Sequence, residues 1–166
     1  MNRHGFTLIE IAVVIAIIGM VMAIVIPRLP SSESEDLKSS ARTLAATLRY
    51  AQERAATNRT IYYLKLEPGG NSATMTEAAG DGSEKKPSDP LLQKRILRER
   101  IVVSDVRIPR LGTINDGQLR LDIGPGGLRE LAVIHLRSPG GQQWTVTAFP
   151  SGGKVKLYEG YEENPQ

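Results

Sequence analysis

The residue with the most unusual chemical setting in this sequence is Glu10. It lies in the run from Phe6 to Ile26, where Thr7 is the only other conventionally polar side chain. An acidic side chain in the middle of an apolar membrane helix costs about 2.5–3.5 kcal/mol, so such a residue marks a functional site by default. We therefore take Glu10 as the first candidate site residue.

No set of residues typical of an enzyme accompanies Glu10. His135, the one histidine besides His4, falls in a strand pattern, where a packing role is favoured over catalysis. The stretch Gly124–Gly127 follows no strand-to-helix pattern and indicates a turn. The sequence contains no cysteine, so it offers neither a disulfide scaffold nor a Cys-based metal site. We expect a protein that is not an enzyme, with no cofactor and no metal site.

The element that must position Glu10 is the 21-residue run 6–26 itself. As a helix it would be roughly 31 Å long, close to the ~30 Å hydrocarbon thickness of a bilayer. A secretory signal has a small-residue cleavage site after the apolar run, but here Pro27 and Arg28 follow it. The small residue, Gly5, precedes the run instead. The pattern predicts a transmembrane helix at residues 6–26, preceded by a short basic leader.

This N-terminus resembles that of the type IV pilin and pseudopilin family: a short basic leader, a glycine, and then Phe-Thr-Leu-Ile-Glu. The resemblance implies that a prepilin peptidase removes residues 1–5, cleaving between Gly5 and Phe6, and N-methylates Phe6. It also implies that Glu10 pairs with the N-terminal amine of a neighbouring subunit and sets the register of a helical filament. An ordinary membrane anchor with an incidental glutamate is the alternative.

Two residues of the same region favour a bend. Gly19 adds backbone freedom, and Pro27 removes a helix hydrogen bond. Related filaments melt between similarly placed residues, and the resemblance extends that expectation to this chain. The apolar helix and the helix after it could form one bent rod, or two helices with a true break.

Residues 27–58 predict an amphipathic helix. Its apolar side chains recur at spacings of three and four residues, and charged side chains fall largely off that face. Asn58 is a plausible end signal. The face is small and rich in alanine, so a sheet can approach it closely. Its members are Leu37, Ala41, Leu44, Leu48, Ala51 and Ala55.

Residues 59–166 predict a β-rich domain, because period-two alternation and hairpin turns indicate antiparallel strands. Residues 68–90 are rich in Gly, Ser, Pro and charge; they are expected to be mostly a flexible loop with one weak strand candidate at 73–76. Residues 159–166 are acidic and expected to fray. Further strands are expected at 61–66, 118–123, 131–136, 143–149 and 154–158, and residues 96–108 are ambiguous, with a strand favoured at 101–103.

Together, these segments predict an α+β protein with a long N-terminal helix, half membrane anchor and half amphipathic. The helix is expected to pack on an antiparallel sheet or sandwich, as in pilins. The stretch Ser40–Gln52 and the closing segments 141–146 and 153–157 are similar to the minor pseudopilin H subgroup of type II secretion. Major pseudopilins of that system carry an Asp-rich C-terminal calcium loop, and no such cluster occurs in this sequence. This difference favours a minor subunit.

The resemblance implies a structural subunit of the periplasmic pseudopilus, which assists export of folded proteins across the outer membrane. Its implied partners are other pseudopilins (the major subunit and minor tip subunits), the prepilin peptidase and the inner-membrane assembly platform. Its implied place is the inner membrane, crossed once, with the C-terminal domain in the periplasm. The alternative is a minor pilin of a type IV pilus, acting in assembly, adhesion or DNA uptake.

DNA contact has one candidate region, the basic stretch Lys94–Arg110, because phosphate contacts need clustered Lys and Arg side chains. Glu99 and Asp105 dilute the cluster, and a net charge of +3 is too small to argue for a polyanion partner. A solvated strand face is the favoured interpretation, so nucleic acid is not an expected partner. For Trp144, core packing is favoured over recognition.

Overall fold

The computed structural model describes residues 7–25, 32–150 and 153–163. The chain divides into two units, residues 1–31 and residues 32–166, which we describe separately. The first contains helix α1 (Leu8–Val25). Its large apolar side chains are exposed on every side, with Leu8 88% and Met20 71% accessible. Over the part of the chain that is described, no helix combines the length and apolar character needed to cross a membrane.

The second unit consists of helix α2 packed on two five-stranded antiparallel sheets. The first sheet has the strand order β3-β2-β1-β6-β7 and the second β10-β9-β8-β4-β5. A short 3-10 helix, Pro90–Gln93, precedes β4. The elements are α2 (Ser32–Asn58), β1 (Tyr62–Leu66), β2 (Ala73–Ala78), β3 (Glu84–Lys85), β4 (Val102–Ile108), β5 (Gly112–Ile114), β6 (Leu119–Gly124), β7 (Gly127–Leu128), β8 (Ala132–Arg137), β9 (Gln143–Ala148) and β10 (Val155–Glu159).

Helix α2 carries the apolar face that its sequence predicts. All six residues of that predicted face are completely buried, and Ala45 extends it. The helix ends at Asn58, and the next residue, Arg59, takes a left-handed conformation with φ of 51°. The Thr60 N–H then donates to the Ala55 carbonyl at 3.3 Å, a bond typical of helix C-termini. The predicted helix end is therefore confirmed.

The first sheet is built around β1. Tyr62, Leu64 and Leu66 alternate toward the core, as period-two patterning requires. Leu64 lies between Met75 of β2 and Leu121 of β6, and all three side chains are buried. This row of apolar side chains forms the contribution of the first sheet to the core.

The second sheet is covered on both faces of its central strand, β8. Ala132, Ile134 and Leu136 lie in the core cluster that also contains the α2 face. Val133 and His135 alternate to the opposite face, yet they are buried as well. Something other than the core must therefore cover the outer face of this sheet at His135.

The segment 68–90 is more ordered than its composition indicates. It contains β2 and β3, and β2 extends the weak strand candidate by two residues, to Ala78. The strand candidate at 73–76 is confirmed, because Ala73 and Met75 alternate inward against β1, whereas the expected loop was wrong at 77–78 and 84–85. The short strands β5 and β7 were not predicted either, since two or three residues carry no detectable period.

Candidate functional site

Glu10 lies in the first turn of α1. Its N–H lies 3.3 Å from Thr7 Oγ1 and 3.1 Å from the Thr7 carbonyl, so Thr7 caps the helix. Thr7 and Glu10 have the spacing of a capping box, in which the glutamate occupies the third helical position. A carboxylate there is favoured by the positive end of the helix dipole. Sequence reasoning missed the role of Thr7, although the three-residue spacing to Glu10 was the available signal.

The other predicted site residues are only partly covered by the structure. Gly5, Phe6 and Pro27 lie outside the described residues, so their roles in processing and bending stay predictions. Gly19 lies within α1, which continues to Val25. A Cβ added at Gly19 would meet no atom within 4 Å, so packing within the described residues does not require glycine there.

Polar contacts along its length fix α2 against the rest of its unit. Arg49 donates to the carbonyl of Val155 on β10. Ser40, which is completely buried, accepts the Arg98 N–H at 3.0 Å. The Tyr50 hydroxyl donates to Asp89 Oδ2 at 2.6 Å; this bond, together with the Leu91 N–H, holds the pKa of Asp89 below its ordinary value. The same bond to Asp89 raises the pKa of Tyr50.

His135 lies beneath a C-terminal strap, residues 160–163. Its Nε2–H donates to the Glu162 carbonyl at 3.1 Å, and its Nδ1 is hydrogen-bonded to Asp105 Oδ2 at 2.7 Å. The Tyr161 ring stacks on the imidazole, with 3.9 Å between the ring centroids. Thr145 Oγ1 both donates to the Gly160 carbonyl and accepts the Glu162 N–H. The packing role predicted for His135 is confirmed, whereas the expected fraying of the tail was wrong for residues 159–163, of which Glu159 ends β10.

We predict that His135→Ala lowers the free energy of unfolding by about 2–4 kcal/mol, because it leaves the buried Asp105 carboxyl short of a partner. It also removes the stacking partner of Tyr161. Urea unfolding of the full chain in detergent measures the loss. The Glu162 N–H donates to Thr145 Oγ1. Its hydrogen exchange should accelerate in the same variant, because the strap loses its contacts with His135. Thr74→Ala, at an exposed strand position, is the control, and equal stability of the two variants would contradict this role.

The outer face of the first sheet carries a charged cluster centred on Glu84. Lys65 Nζ and Thr76 Oγ1 each lie 2.7 Å from Glu84 Oε2, and Arg120 lies 3.3 Å from Oε1. The hydrogen bond from Lys65, followed by that from Thr76, lowers the pKa of Glu84 from 4.5 to about 2. The cluster ties β1 to the β2–β3 hairpin and to β6.

This depressed pKa predicts a pH-dependent effect. The stabilisation from Glu84 is complete above the ordinary value of 4.5 and is lost as the pH falls through about 2. Glu84→Gln should therefore unfold at a lower urea concentration than the unmodified protein at pH 7, and the difference should shrink between pH 4.5 and pH 2. Glu99→Gln, at an exposed position, is the control. A difference that is constant from pH 7 to pH 2 would show that the carboxylate charge is irrelevant.

The basic stretch Lys94–Arg110 is largely engaged within the molecule. Three of its five arginines form ion pairs, which balances part of its positive charge, and a fourth donates to a main-chain carbonyl. Among the described residues, the pairs are Arg95 with Glu99, Arg100 with Glu33 and Arg110 with Glu130, and Arg107 donates to the Glu163 carbonyl. This arrangement agrees with the solvated strand face that the sequence favours.

The N-terminal residues match a known family model. Residues 1–26 fit the prokaryotic N-terminal methylation motif, and the match contains Gly5, Phe6 and Glu10. Comparison with curated protein sequences gives no match. The motif covers 26 of the 166 residues, and the rest of the chain is compared through its fold, a long helix packed on two antiparallel sheets.

Two solved structures share the fold, and both are of the minor pseudopilin EpsH from the type 2 secretion system of Vibrio cholerae. One aligns with a TM-score of 0.63 at 18% identity and covers 81% of this chain and 100% of that chain. The other aligns with a TM-score of 0.58 at 19% identity and covers 75% and 97%. This chain is thus similar to EpsH in architecture, which makes its fold pilin-like.

Proposed function

We propose that this chain is a minor pseudopilin, a structural subunit of the periplasmic pseudopilus of type II secretion. In this role it assists export of folded proteins across the outer membrane. The observation that carries the proposal is the methylation motif at residues 1–26 combined with a fold shared with a minor pseudopilin. The motif supports membership of a filament system, and the fold supports a minor subunit of the secretion type.

The N-terminus provides the assembly chemistry. Cleavage between Gly5 and Phe6 creates a new amine on Phe6, which the prepilin peptidase methylates. Glu10 of one subunit then pairs with the amine of a neighbouring subunit in an apolar surrounding. A carboxylate and an ammonium are each costly there alone, and much less so as a pair. Because the contact joins different surfaces of successive subunits, it builds a filament rather than a closed ring.

Residues 6–26 serve as the inner-membrane anchor and then as the filament-core helix. The described part, α1, exposes apolar side chains around its circumference, including Ile15 at 65% and Ile18 at 52%. Lipid tails before assembly, and neighbouring anchor helices afterwards, remove this surface from water. Bending at Gly19 and Pro27 adapts the helix to the filament. The β-rich domain lies in the periplasm, where the major subunit, the minor tip subunits and the assembly platform are the partners.

A minor pilin of a type IV pilus is the second candidate, because the methylation motif at residues 1–26 is equally suited to that role. The two candidates differ in the neighbours that α1 contacts. The sequence contains no cysteine, so Ile15→Cys introduces a unique thiol on the exposed surface of α1. A cysteine on the anchor helix of the major pseudopilin or of the major pilin supplies the partner.

Oxidative cross-linking in cells that make both systems tests the proposal. We expect disulfide-linked products with the major pseudopilin, and we expect them to disappear without the secretion assembly ATPase. Lys154→Cys, on the exposed surface of the β-rich domain, is the matched control for random encounters. Products formed with the major pilin alone would instead assign the chain to the type IV pilus.

A further inference from the structure

The first sheet has an incompletely paired edge. β3 pairs with β2 only at Glu77 and Ala78, so among the described residues the first part of β2 has no strand on its outer side. On the inner side, the Ser72 carbonyl accepts the Glu67 N–H and the Ala78 N–H donates to the Ile61 carbonyl. Main-chain groups alternate sides along an antiparallel strand. The N–H and C=O groups of Ala73 and Met75 therefore face the outer edge.

This edge forms one wall of a groove. The opposite wall is the segment from Lys86 to Leu97, and the cavity between them has a volume of about 480 Å³. That volume lies in the range of sites that bind ligands or short peptide segments. The floor is apolar, because Leu92 and Leu97 are 2% exposed and Met75 is 6% exposed. The groove thus combines free main-chain partners with buried apolar surface.

The charge of the groove has one sign. Lys86, Lys94 and Arg95 line it, and no Asp or Glu is among its lining residues. Arg95 is partly neutralised by Glu99 at 3.4 Å and bonds Asn71 Oδ1 at 3.1 Å. Lys86 and Lys94 are exposed and have no ion pair within the described part of the chain. Their charges favour an acidic occupant.

We propose that this groove binds an extended, acidic segment of a partner protein, which adds a strand to the free edge of β2. Main-chain hydrogen bonds to Ala73 and Met75 supply the affinity, and alternate acidic side chains reach Lys86 and Lys94. This inference goes beyond the proposed function and does not depend on it, since the groove lies in the β-rich domain. Proteins commonly protect an exposed sheet edge with charged side chains, especially lysines, on the edge strand itself. Here Lys86 and Lys94 lie on the opposite wall of the groove, so they do not block pairing with β2.

A peptide probe tests strand addition directly. The probe is a fluorescent hexapeptide of alternating Glu and Thr, measured by anisotropy against the full chain in mild detergent. N-methylation blocks one alternate set of main-chain N–H groups without touching the protein. The glutamates fix the orientation of the bound peptide, so only one alternate set of its N–H groups faces β2. Methylation of that set should weaken binding at least tenfold (about 1.4 kcal/mol), and methylation of the other set should change binding less than about twofold. Equal sensitivity to both sets, or to neither, would overturn strand addition.

Charge reversal tests the acidic preference. Lys86→Glu with Lys94→Glu should weaken the probe about tenfold, because each exposed ion pair is worth roughly 0.2–1 kcal/mol. Arg129→Glu with Lys154→Glu changes the net charge equally at exposed positions outside the groove, and it should leave binding within about twofold. Equal melting temperatures show that both variants are folded. An Asp- and Glu-free probe of alternating Lys and Thr that binds as well as the acidic one would overturn the proposal.

Discussion

Cells that carry Glu10→Ala should cleave and methylate the chain normally but fail to incorporate it into filaments. The substitution leaves the Phe6 amine of a neighbouring subunit unpaired in an apolar surrounding, which costs about 3–5 kcal/mol. This is on the order of a 100-fold or greater loss in the assembly equilibrium. Immunoblotting of isolated filaments, with the membrane fraction as reference, measures the effect.

Glu10→Gln separates charge from shape in this experiment. It keeps the length and volume of the side chain and removes the negative charge, so it should assemble nearly as poorly as Glu10→Ala. The Thr7 cap should persist in both variants, because Thr7 accepts the main-chain N–H of residue 10. Normal incorporation of Glu10→Ala would refute the role of Glu10 in filament register.

Gly5→Leu should block maturation. The resemblance implies that the leader ends at Gly5 and that the peptidase requires this small residue at the cleaved bond. The chain should then retain residues 1–5 and carry no methyl group on Phe6. Mass spectrometry of the protein extracted from membranes distinguishes the two forms.

Gly19→Ala is the matched glycine control for this experiment. A Cβ at position 19 meets no atom within 4 Å, and alanine has the higher helix propensity, so α1 should accommodate it. Maturation should proceed normally in this variant. A mature mass in Gly5→Leu would contradict the assigned cleavage site.

The helical part of the fold could be predicted from sequence because its signal is long and local. The six positions at spacings of three and four residues in α2 are all buried. Asn58 closes the helix as expected. Over a helix of 27 residues the apolar period repeats many times, so the pattern alone identifies the face that packs against the sheets.

The strap and the groove could not be predicted because they depend on contacts between distant segments. Gly160–Glu163 reads as an acidic tail, and only the fold brings Asp105, His135 and Thr145 beneath it. Likewise, a segment rich in Gly, Ser and charge conceals β2, whose free edge meets the residues from Lys86 to Leu97. Short strands of this kind are stabilised by their neighbours rather than by their own composition.

At the N-terminal site, the sequence indicates which residues are candidates but not what surrounds them. Phe6 to Glu10 follow Gly5 in an order that a family model also matches. The proposed partner of Glu10 is the amine of another subunit, so a single chain would hold only half of that contact. The structure adds that Thr7 caps the main-chain N–H of Glu10 in the first turn of α1.

We infer that this chain works in a secretion pseudopilus, so its loss should stop the export of folded proteins. The most direct measurement uses a strain that lacks the chain and compares it with the same strain complemented by it. Folded exoprotein in the medium is quantified, and pili and DNA uptake are scored on the same cells. Lost secretion with normal pili and uptake is the result that we predict. Normal secretion with lost pili or uptake would contradict the claim and assign the chain to a type IV pilus.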